Sequence, residues 1–352
     1  MRKCGTEKDV GSLAKHRAYL GKPPKKGSVV PFPCDPAKVF ATQVKGLAAR
    51  LKAIRCRDVV IGLSGGLDST LALLVADAAF ARLKLDKRGI HVYAMPGFGT
   101  SKRTKGNAEL LCEGLELKLE FISIVQSVRQ HLKDIGHDGK TPDITYENAQ
   151  ARMRTMILMD KANMTGGIVL GTGDLSEIAL GWSTYNGDHM SMFGINNGVP
   201  KTVIRKVCAW FVLTQRHRGA EKSLKVANAV EDIINTPVSP ELVKGQVTED
   251  KIGPYELHDF FLWNFIMNEM GSKDLQSAAE RYFTVPSAPS RTGAGSGAFT
   301  KELIAKTLKT FLWRFFTQAF KRNCQPDGIR VFPFELSLHG WWIPSDLGPV
   351  RI

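Results

Sequence analysis

The sequence predicts an α/β protein: a doubly wound parallel sheet with flanking helices and a helical C-terminal portion. Four short apolar runs of strand length are separated by longer stretches with the periodicity of amphipathic helices. Neighbouring parallel strands need a crossover connection, usually a helix, and their sequences read as nearly continuous apolar runs because both faces are buried. After residue 200 the pattern becomes mainly helical, which predicts the helical C-terminal portion.

Each strand is predicted from one apolar run: VVIGL at 59–63, IHVYAM at 90–95, LEFISI at 119–124 and GIVLGT at 167–172. Helices are predicted at 37–53, 68–84, 101–114, 147–163, 201–214, 256–269 and 301–320. Ligands bind to such sheets beyond the carboxyl ends of the strands. The glycine-rich turns that follow Leu63 and Leu170 are therefore predicted to lie at the binding edge.

Two regions are predicted along the chain. Residues 1–36 read as a basic extended arm or linker, because several prolines interrupt regular structure there. Residues 37–352 read as one domain, which is long enough to bury a substantial core. The aromatic stretch 311–320 is either a core face or an oligomer interface.

Composition narrows the class of protein. The chain has 48 Lys and Arg against 34 Asp and Glu, a net charge of +14, which suits nucleotides, nucleic acid or simply a solvated basic surface. Its six cysteines are scattered without a C-x-x-C pair, which argues against a zinc site and fits reduced thiols in the cytoplasm. Neither a secretory signal nor an apolar run of membrane-spanning length is visible, so no membrane association is expected.

The stretch SGGLDST at 64–70 follows a predicted buried strand directly. Glycines let backbone N–H groups approach a ligand closely, and a helix N-terminus favours negative charge, so the stretch predicts a phosphate-binding loop. It is no Walker loop, because no lysine follows the glycines. Hydroxyl groups of Ser64, Ser69 and Thr70 and a Mg²⁺ on Asp68 would then hold the phosphates. The alternative is a tight turn with a capping acid.

Those residues carry a resemblance to a known family. SGGLDS resembles the pyrophosphate loop of ATP-pyrophosphatase enzymes, and GIVLGTGDLSEIALGWSTYNGDHMSMFGINNGVPKT at 167–202 resembles the NAD synthetases, specifically the synthetase domain of the glutamine-dependent type. Matches at 95–101, 147–152, 246–262, 315–328 and 343–346 extend the resemblance from about residue 31 to the end. It implies an adenine nucleotide alpha hydrolase-like fold, with 37–352 as the synthetase domain.

The resemblance also implies site residues. Asp68 and Glu177 would be catalytic and would hold Mg²⁺. ATP would contact Gly62, Leu63, Ser64, Gly65, Gly66, Leu67, Asp68, Ser69, Thr172, Lys201 and Ser239. Deamido-NAD would contact Asn148, Arg152, Glu177, Trp182, Ser183, Thr184, Tyr185, Asp188 and Lys321. For Glu177 a capping role, for Lys201 a solvated charge, and for Trp182 and Tyr185 ordinary packing remain alternatives.

The implied reaction is ATP-dependent amidation of deamido-NAD to NAD⁺ through an adenylate, with ammonia as nitrogen donor and AMP and pyrophosphate as products. Long-type synthetases also carry a glutaminase domain, which is not visible before residue 31, so ammonia is expected to come free or from a glutaminase partner.

Members of the family form homodimers, and a homo-oligomer is expected. The alternatives are a tRNA-modifying ATP pyrophosphatase, which the missing C-x-x-C pair opposes, and an inactive nucleotide-binding fragment.

Overall fold

The computed structural model describes residues 31–100, 102–236, 242, 248–284, 299–337 and 340. Most of the predicted basic arm, at 1–30, lies outside the described residues, as do 287–298 and the C-terminal match at 343–346. At the end of the predicted arm Phe32 is buried, and its ring centroid lies 5.0 Å from that of Trp263 and 5.0 Å from that of Phe332. Phe32 therefore belongs to the core of the domain.

The centre of the protein is a sheet of five parallel strands, which confirms the predicted fold class. Its strands are β1 (Val59–Gly62), β2 (Ile90–Ala94), β3 (Leu119–Phe121), β4 (Ile168–Gly171) and β5 (Phe193–Gly194). Their spatial order is β3-β2-β1-β4-β5. In the register, Val59 of β1 pairs with Ile90 on one side and with Ile168 on the other.

Helices connect and cover the strands. The first group comprises α1 (Pro36–Ala53), α2 (Leu67–Leu83), α3 (Lys102–Leu115), α4 (Val125–Asp134), α5 (Ile144–Thr165) and α6 (Leu175–Leu180). The second comprises α7 (Lys201–Arg218), α8 (Glu221–Ile234), α9 (Thr248–Ile252), α10 (Tyr255–Met267), α11 (Ser272–Phe283), α12 (Lys301–Thr317) and α13 (Ala319–Arg322). Local signals set several of their ends. Asp35 caps α1 by accepting from the Lys38 amide at 3.2 Å, and Gly166 ends α5 in the left-handed conformation.

Both faces of the sheet are covered, as its apolar strands require. Side chains of successive strand residues point to opposite faces. Val59 and Ile61 of β1 accordingly join the larger apolar core, whereas Val60 joins a second core with residues of α4 and α5. Burial on both sides explains why β1 reads as an uninterrupted apolar run.

The C-terminal helices form an aromatic layer. Phe260 and Phe261 of α10 and Phe311 and Phe315 of α12 are fully buried, and the Phe311 and Phe315 ring centroids lie 5.6 Å apart. The apolar side of the 311–320 stretch is thus a core face, although Trp313 remains half exposed. In the parts of the chain that the structure describes, no helix combines the length and apolar character needed to cross a bilayer.

The strand order places a crevice at the middle of the sheet. From β1 the chain builds β2 and β3 on one side, then returns to add β4 and β5 on the other. The carboxyl ends of the adjacent strands β1 and β4 therefore lie at the topological switch point, where ligands bind in open α/β sheets. Both glycine-rich turns, at 63–66 and 171–173, follow these two strands.

Candidate active site

The turn after β1 is a compact loop that ends in a helix. Gly65 has φ +78°, and a Cβ there would lie 2.3 Å from the carbonyl oxygen of Thr104, so glycine is required. The hydroxyl oxygens of Ser64 and Ser69 lie 3.0 Å apart, and the Gly66 amide donates to Ser64 Oγ at 3.1 Å. The two serines thus link the loop to the first turn of α2.

The first turn of α2 faces the crevice. Its N-cap residue is Gly66, which has no side chain to accept from the first backbone N–H groups of the helix. N–H groups at a helix N-terminus carry a partial positive charge and bind anions. This turn is therefore suited to a phosphate group.

The turn after β4 begins the short helix α6 with a capping box. Asp174 Oδ1 accepts from the Glu177 amide at 2.8 Å, and Glu177 Oε2 accepts from the Asp174 amide at 3.4 Å. The reciprocal bonds fix both carboxylates relative to the helix. They leave Asp174 Oδ2 and Glu177 Oε1 to face residues of other elements.

One ammonium group joins the acids of both turns. Lys201, the first residue of α7, places Nζ 2.6 Å from Asp68 Oδ2, 2.6 Å from Asp174 Oδ2 and 2.9 Å from Glu177 Oε1. Lys201 is buried, and so is Asp174. Three carboxylates thus share a single positive charge in a poorly solvated place.

Burial and mutual repulsion shift the titration of the cluster. Burial raises the pKa of Asp174 well above its usual value, and the neighbouring Glu177 carboxylate raises it further. Burial likewise raises the pKa of Glu177 to about 7. For Lys201, burial alone would lower the pKa, but the attraction of Asp174, Asp68 and Glu177 raises it above its usual value. The single charge of Lys201 therefore does not fully compensate the three carboxylates.

The cluster fits a divalent cation. One oxygen from each of Asp68, Asp174 and Glu177 lies within 4.8 Å of the others. Asp68 Oδ1 is buried, and among the described residues it has no hydrogen-bond partner. Magnesium ions prefer carboxylate oxygens together with phosphate oxygens. An unpartnered carboxylate oxygen beside two further acids is what such an ion would require, so the residues present suit Mg²⁺.

A buried acid of α10 supports the cluster from behind. Asp259 accepts from the Thr202 amide at 3.0 Å, from Thr202 Oγ1 at 2.6 Å and from the Ser176 hydroxyl. Ser176 in turn accepts from the Lys201 amide at 2.8 Å. Asp259 thereby ties the start of α7 to α6, and with it Lys201 to Glu177.

A cleft of about 600 Å³ opens from the two turns. Most of the predicted site residues line it. They are Gly62, Leu63, Ser64, Gly65, Gly66, Leu67, Asp68, Ser69, Asn148, Thr172, Glu177, Trp182, Ser183, Thr184, Asp188 and Lys321. This volume lies within the range of small-molecule sites.

The part of the cleft beyond α6 is held by polar contacts. Thr184 Oγ1 donates to Asn148 Oδ1 at 2.8 Å, and the Thr184 amide donates to Asp188 Oδ1 at 2.8 Å. Lys321 Nζ donates to the carbonyl oxygens of Gly181 at 2.8 Å and Ser183 at 2.6 Å. Burial raises the pKa of Asp188. These contacts shape the 181–188 turn into one wall of the cleft.

An aromatic ring completes this wall. The guanidinium carbon of Arg314 lies 4.8 Å from the centroid of the Trp182 ring, a cation–π contact. Arg314 Nε also donates to the Leu180 carbonyl at 2.8 Å. The cation on one face of the ring orients the indole, which lines the cleft.

Three of the predicted residues lie beside the cleft rather than among its described lining residues. Arg152 Nε donates to the Tyr185 carbonyl at 3.2 Å, and Tyr185 is partly exposed and stacks on His189 at 5.2 Å. Lys201 lies behind the acids it contacts. Ser239, predicted to contact ATP, lies outside the described residues.

Two acids of this site, Asp174 and Asp259, were not predicted from the sequence. Asp174 could have been found from D-L-S-E at 174–177, since an acid followed three residues later by Glu is a helix-start signature. Asp259 has no such signal. It lies within an apolar helix, and the periodicity of that helix does not show which residues the acid contacts.

Known proteins of one family are similar to this chain in sequence. Residues 39–283 match the sequence profile of the NAD synthase family. A glutamine-dependent NAD(+) synthetase from Mycobacterium tuberculosis is 38% identical over 345 residues, which cover 90% of this chain and 50% of the relative. One from Thermotoga maritima is 32% identical over 251 residues, which cover 71% of this chain and 41% of the relative. The chain thus spans about half the length of the curated relatives it matches.

Solved structures show the same fold. A glutamine-dependent NAD(+) synthetase from Cytophaga hutchinsonii superposes with a TM-score of 0.65 at 16% identity, covering 88% of this chain and 54% of that one. An NMN synthetase from Francisella tularensis superposes with a TM-score of 0.55 at 23% identity, covering 70% of this chain and 92% of that one. The fold is shared with these synthetases, and since the family profile matches residues 39–283, more than half of the chain, the chain belongs to the NAD synthase family.

Proposed function

We propose that this chain catalyses the ATP-dependent amidation of deamido-NAD to NAD⁺. The nicotinate carboxylate attacks the α-phosphorus of ATP, the bond to the β-phosphate breaks, and pyrophosphate leaves. Ammonia then attacks the acyl carbon of the adenylate, expels AMP and loses a proton, which leaves the amide. One observation carries the proposal. A glycine-rich loop with free helix N–H groups and a cluster of three acids lie together at the carboxyl ends of β1 and β4.

The ATP end of the site is the part nearest the sheet. The phosphate chain lies against the first turn of α2, where backbone N–H groups are available as donors. Thr172, on the opposite side of the crevice, lines the same cleft. Fixed donors aimed at phosphate oxygens stabilise the charge that develops as pyrophosphate departs.

Mg²⁺ is the ion we assign to this end, held by Asp68 and Glu177 with Asp174 as an additional neighbour. When bound, it would neutralise phosphate oxygens and so make the α-phosphorus easier to attack. Lys201 supplies the positive charge that stabilises the acids in the free protein, and its long side chain can turn toward phosphate groups once those acids have another partner. Lys201 thus stabilises the acids in the free protein and contacts phosphate groups when ATP is bound.

The acceptor end is the wall formed by the 181–188 turn. Trp182, its ring held by Arg314, offers an aromatic face for the nicotinate ring or the adenine. Asn148 and Asp188, each hydrogen-bonded to Thr184, provide polar groups near the same wall. A dinucleotide that extends from this wall toward the three acids would bring its carboxylate to the phosphates.

The test is product analysis with the purified chain. Supplied with Mg-ATP, deamido-NAD and ammonium, it should form NAD⁺, AMP and pyrophosphate in equal amounts. Formation of ADP and phosphate would contradict the proposal, because the α-phosphorus would then not be the site of attack. ATP binding without any turnover would favour a nucleotide-binding role.

The source of ammonia is examined in the same assay. Since the cleft is the site proposed to receive ammonia, ammonium should support NAD⁺ formation by the purified chain. Glutamine supplied in place of ammonium should support much less. Equal rates from the two donors, in a preparation free of other proteins, would contradict the use of free ammonia.

A further inference from the structure

We infer that Asn196 and Gln43 are positioning residues that fix the distance between the two halves of the ATP site. The inference rests on the proposed function for the identity of the ligand, but its geometry does not. Both side chains have no exposed surface, and neither touches the cleft. They act through the backbone of residues that do.

Asn196 joins the two turns of the crevice. Its Nδ2 donates to the carbonyl oxygen of Asp68 at 2.9 Å and to that of Thr172 at 3.0 Å. An amide nitrogen has two hydrogens, so both are used. The orientation of the amide is determined as well, because carbonyl oxygens only accept hydrogen bonds.

Gln43 holds the other end of this amide. From α1, its Nε2 donates to Asn196 Oδ1 at 3.0 Å and to the Ile195 carbonyl at 3.1 Å. Gln43 Oε1 is buried and lacks a hydrogen-bond partner within the described part of the chain. Burying an unpaired amide oxygen costs free energy that an apolar side chain would avoid at this position. What the glutamine adds is the orientation of Asn196.

The strands themselves do not hold the two turns together. The register of β1 and β4 pairs Val59 with Ile168 and Val60 with Val169. Asp68 and Thr172 both lie beyond these paired residues. The contact through Asn196 therefore extends the connection between the strands into the loops, where one side carries the Asp68 carboxylate and the other carries Thr172.

This connection matters for catalysis because both loops must contact one phosphate chain. Reaction rates depend steeply on the placement of reacting groups, and a misplacement of about 1 Å can lower the rate about 100-fold. Asn196 and Gln43 would set that placement before ATP binds. Their loss should then weaken ATP binding and slow turnover without affecting the acceptor wall.

The experiment compares Asn196→Leu with Asn264→Leu in the full chain. Asn264 is a matched control, since it is also fully buried and donates from Nδ2 to a backbone carbonyl, that of Phe260, at 2.8 Å. Hydrogen exchange of peptides covering 64–70 and 172–175 is measured without ligand, and KM for Mg-ATP, KM for deamido-NAD and kcat are measured separately. Gln43→Met keeps the inference testable if Asn196→Leu fails to fold.

We expect faster exchange in both loop segments of Asn196→Leu, with KM for Mg-ATP raised about tenfold, kcat lowered, and KM for deamido-NAD unchanged. Gln43→Met should change the same quantities in the same direction by smaller factors. Wild-type exchange and kinetics in the Asn196 variant, or equal changes in the Asn264 variant, would overturn the inference. If the unaltered chain does not bind Mg-ATP, the proposed function fails, and the exchange comparison alone decides the inference.

Discussion

Lys201 Nζ lies 2.6 Å from Oδ2 of Asp174, a carboxylate with no exposed surface. Lys201 is the positive charge in this poorly solvated place, and its attraction opposes the rise that burial causes in the pKa of Asp174. Removing one partner of a buried ion pair leaves an uncompensated charge, which costs several kcal/mol, about 3–5 in measured cases. The pair therefore anchors α7 to the turn after β4, and the remaining contacts of Lys201 with Asp68 and Glu177 depend on it.

The first prediction concerns Asp68. Asp68→Asn should lower kcat by about 10²-fold or more, because one metal-binding charge is lost from the transition state, while the free energy of unfolding changes far less. The measurement is steady-state kinetics together with denaturant unfolding. Asp77→Asn is the control: Asp77 lies on the same helix, is also 21% exposed, and contacts Lys87 at 2.6 Å. Equal loss of activity in both variants would make Asp68 a structural residue.

The second prediction separates the two roles of Asp174. Serine is also a good N-cap, so Asp174→Ser removes the charge and keeps the cap, whereas Asp174→Ala removes both. Each variant should need at least about tenfold more Mg²⁺ for half-maximal activity, because about a third of the roughly 4 kcal/mol between unit charges about 4 Å apart, at an effective dielectric constant of about 20, is already a factor of ten. Asp174→Ala should be less stable than Asp174→Ser by about 1 kcal/mol.

Magnesium titration of activity and thermal unfolding check this pair of variants. An unchanged Mg²⁺ requirement in both variants would show that the Asp174 carboxylate stabilises Lys201 and does not contribute to Mg²⁺ binding. Equal stabilities would show that the capping box contributes little.

The third prediction is a pH dependence of stability that arises from Asp259. Burial raises its pKa from 3.8 to about 6, although hydrogen bonds from Ser176 and Thr202 oppose the shift. Between these values the folded state keeps a proton that the unfolded chain releases. The contribution of Asp259 to the free energy of unfolding is therefore largest below pH 4 and falls as pH rises to about 6, by at most about 1.4 kcal/mol per pH unit.

Asp259→Asn removes that titration. The stability difference between the unaltered chain and the variant should shrink as pH rises across this interval and stay constant above it. Denaturant unfolding at several pH values from about 4 to 7.5 is the measurement. A difference that grows with pH would show that the hydrogen bonds to the ionised carboxylate outweigh the effect of burial.

The fourth prediction concerns Lys321, which donates to the Gly181 and Ser183 carbonyls. Lys321→Met should raise KM for deamido-NAD about tenfold, because hydrogen bonds from a charged group contribute about 1.5–3 kcal/mol and their loss frees the 181–188 turn. KM for ATP should stay constant. Lys87→Met is the control, since Lys87 donates to the Leu115 carbonyl at 3.1 Å, away from the cleft. A rise in KM for ATP in the Lys321 variant would contradict the assignment of that wall.

The positions of the first four strands along the chain, and of the two glycine-rich turns, could be predicted from the sequence. Strands β1, β2 and β4 are recognised as apolar runs because both faces of the sheet are buried. The 64–66 turn is recognised by its glycines because its backbone conformation requires them. The two-residue strand β5 was not predicted, because so short a pairing leaves no periodic pattern. Helices α4, α8 and α11 were not predicted either, although their apolar faces pack on the rest of the core.

The contacts among the charged and amide groups of the site could not be predicted from the sequence. The sequence predicts that Lys201 contacts ATP phosphates, but it does not show that the same side chain contacts three acids from two other turns. Asn196 and Gln43 gave no sequence signal at all. A motif shows only which chemical groups a short segment contains, whereas the partners of a buried polar group lie in distant segments. Packing brings these partners together because an unpaired buried charge or amide costs free energy.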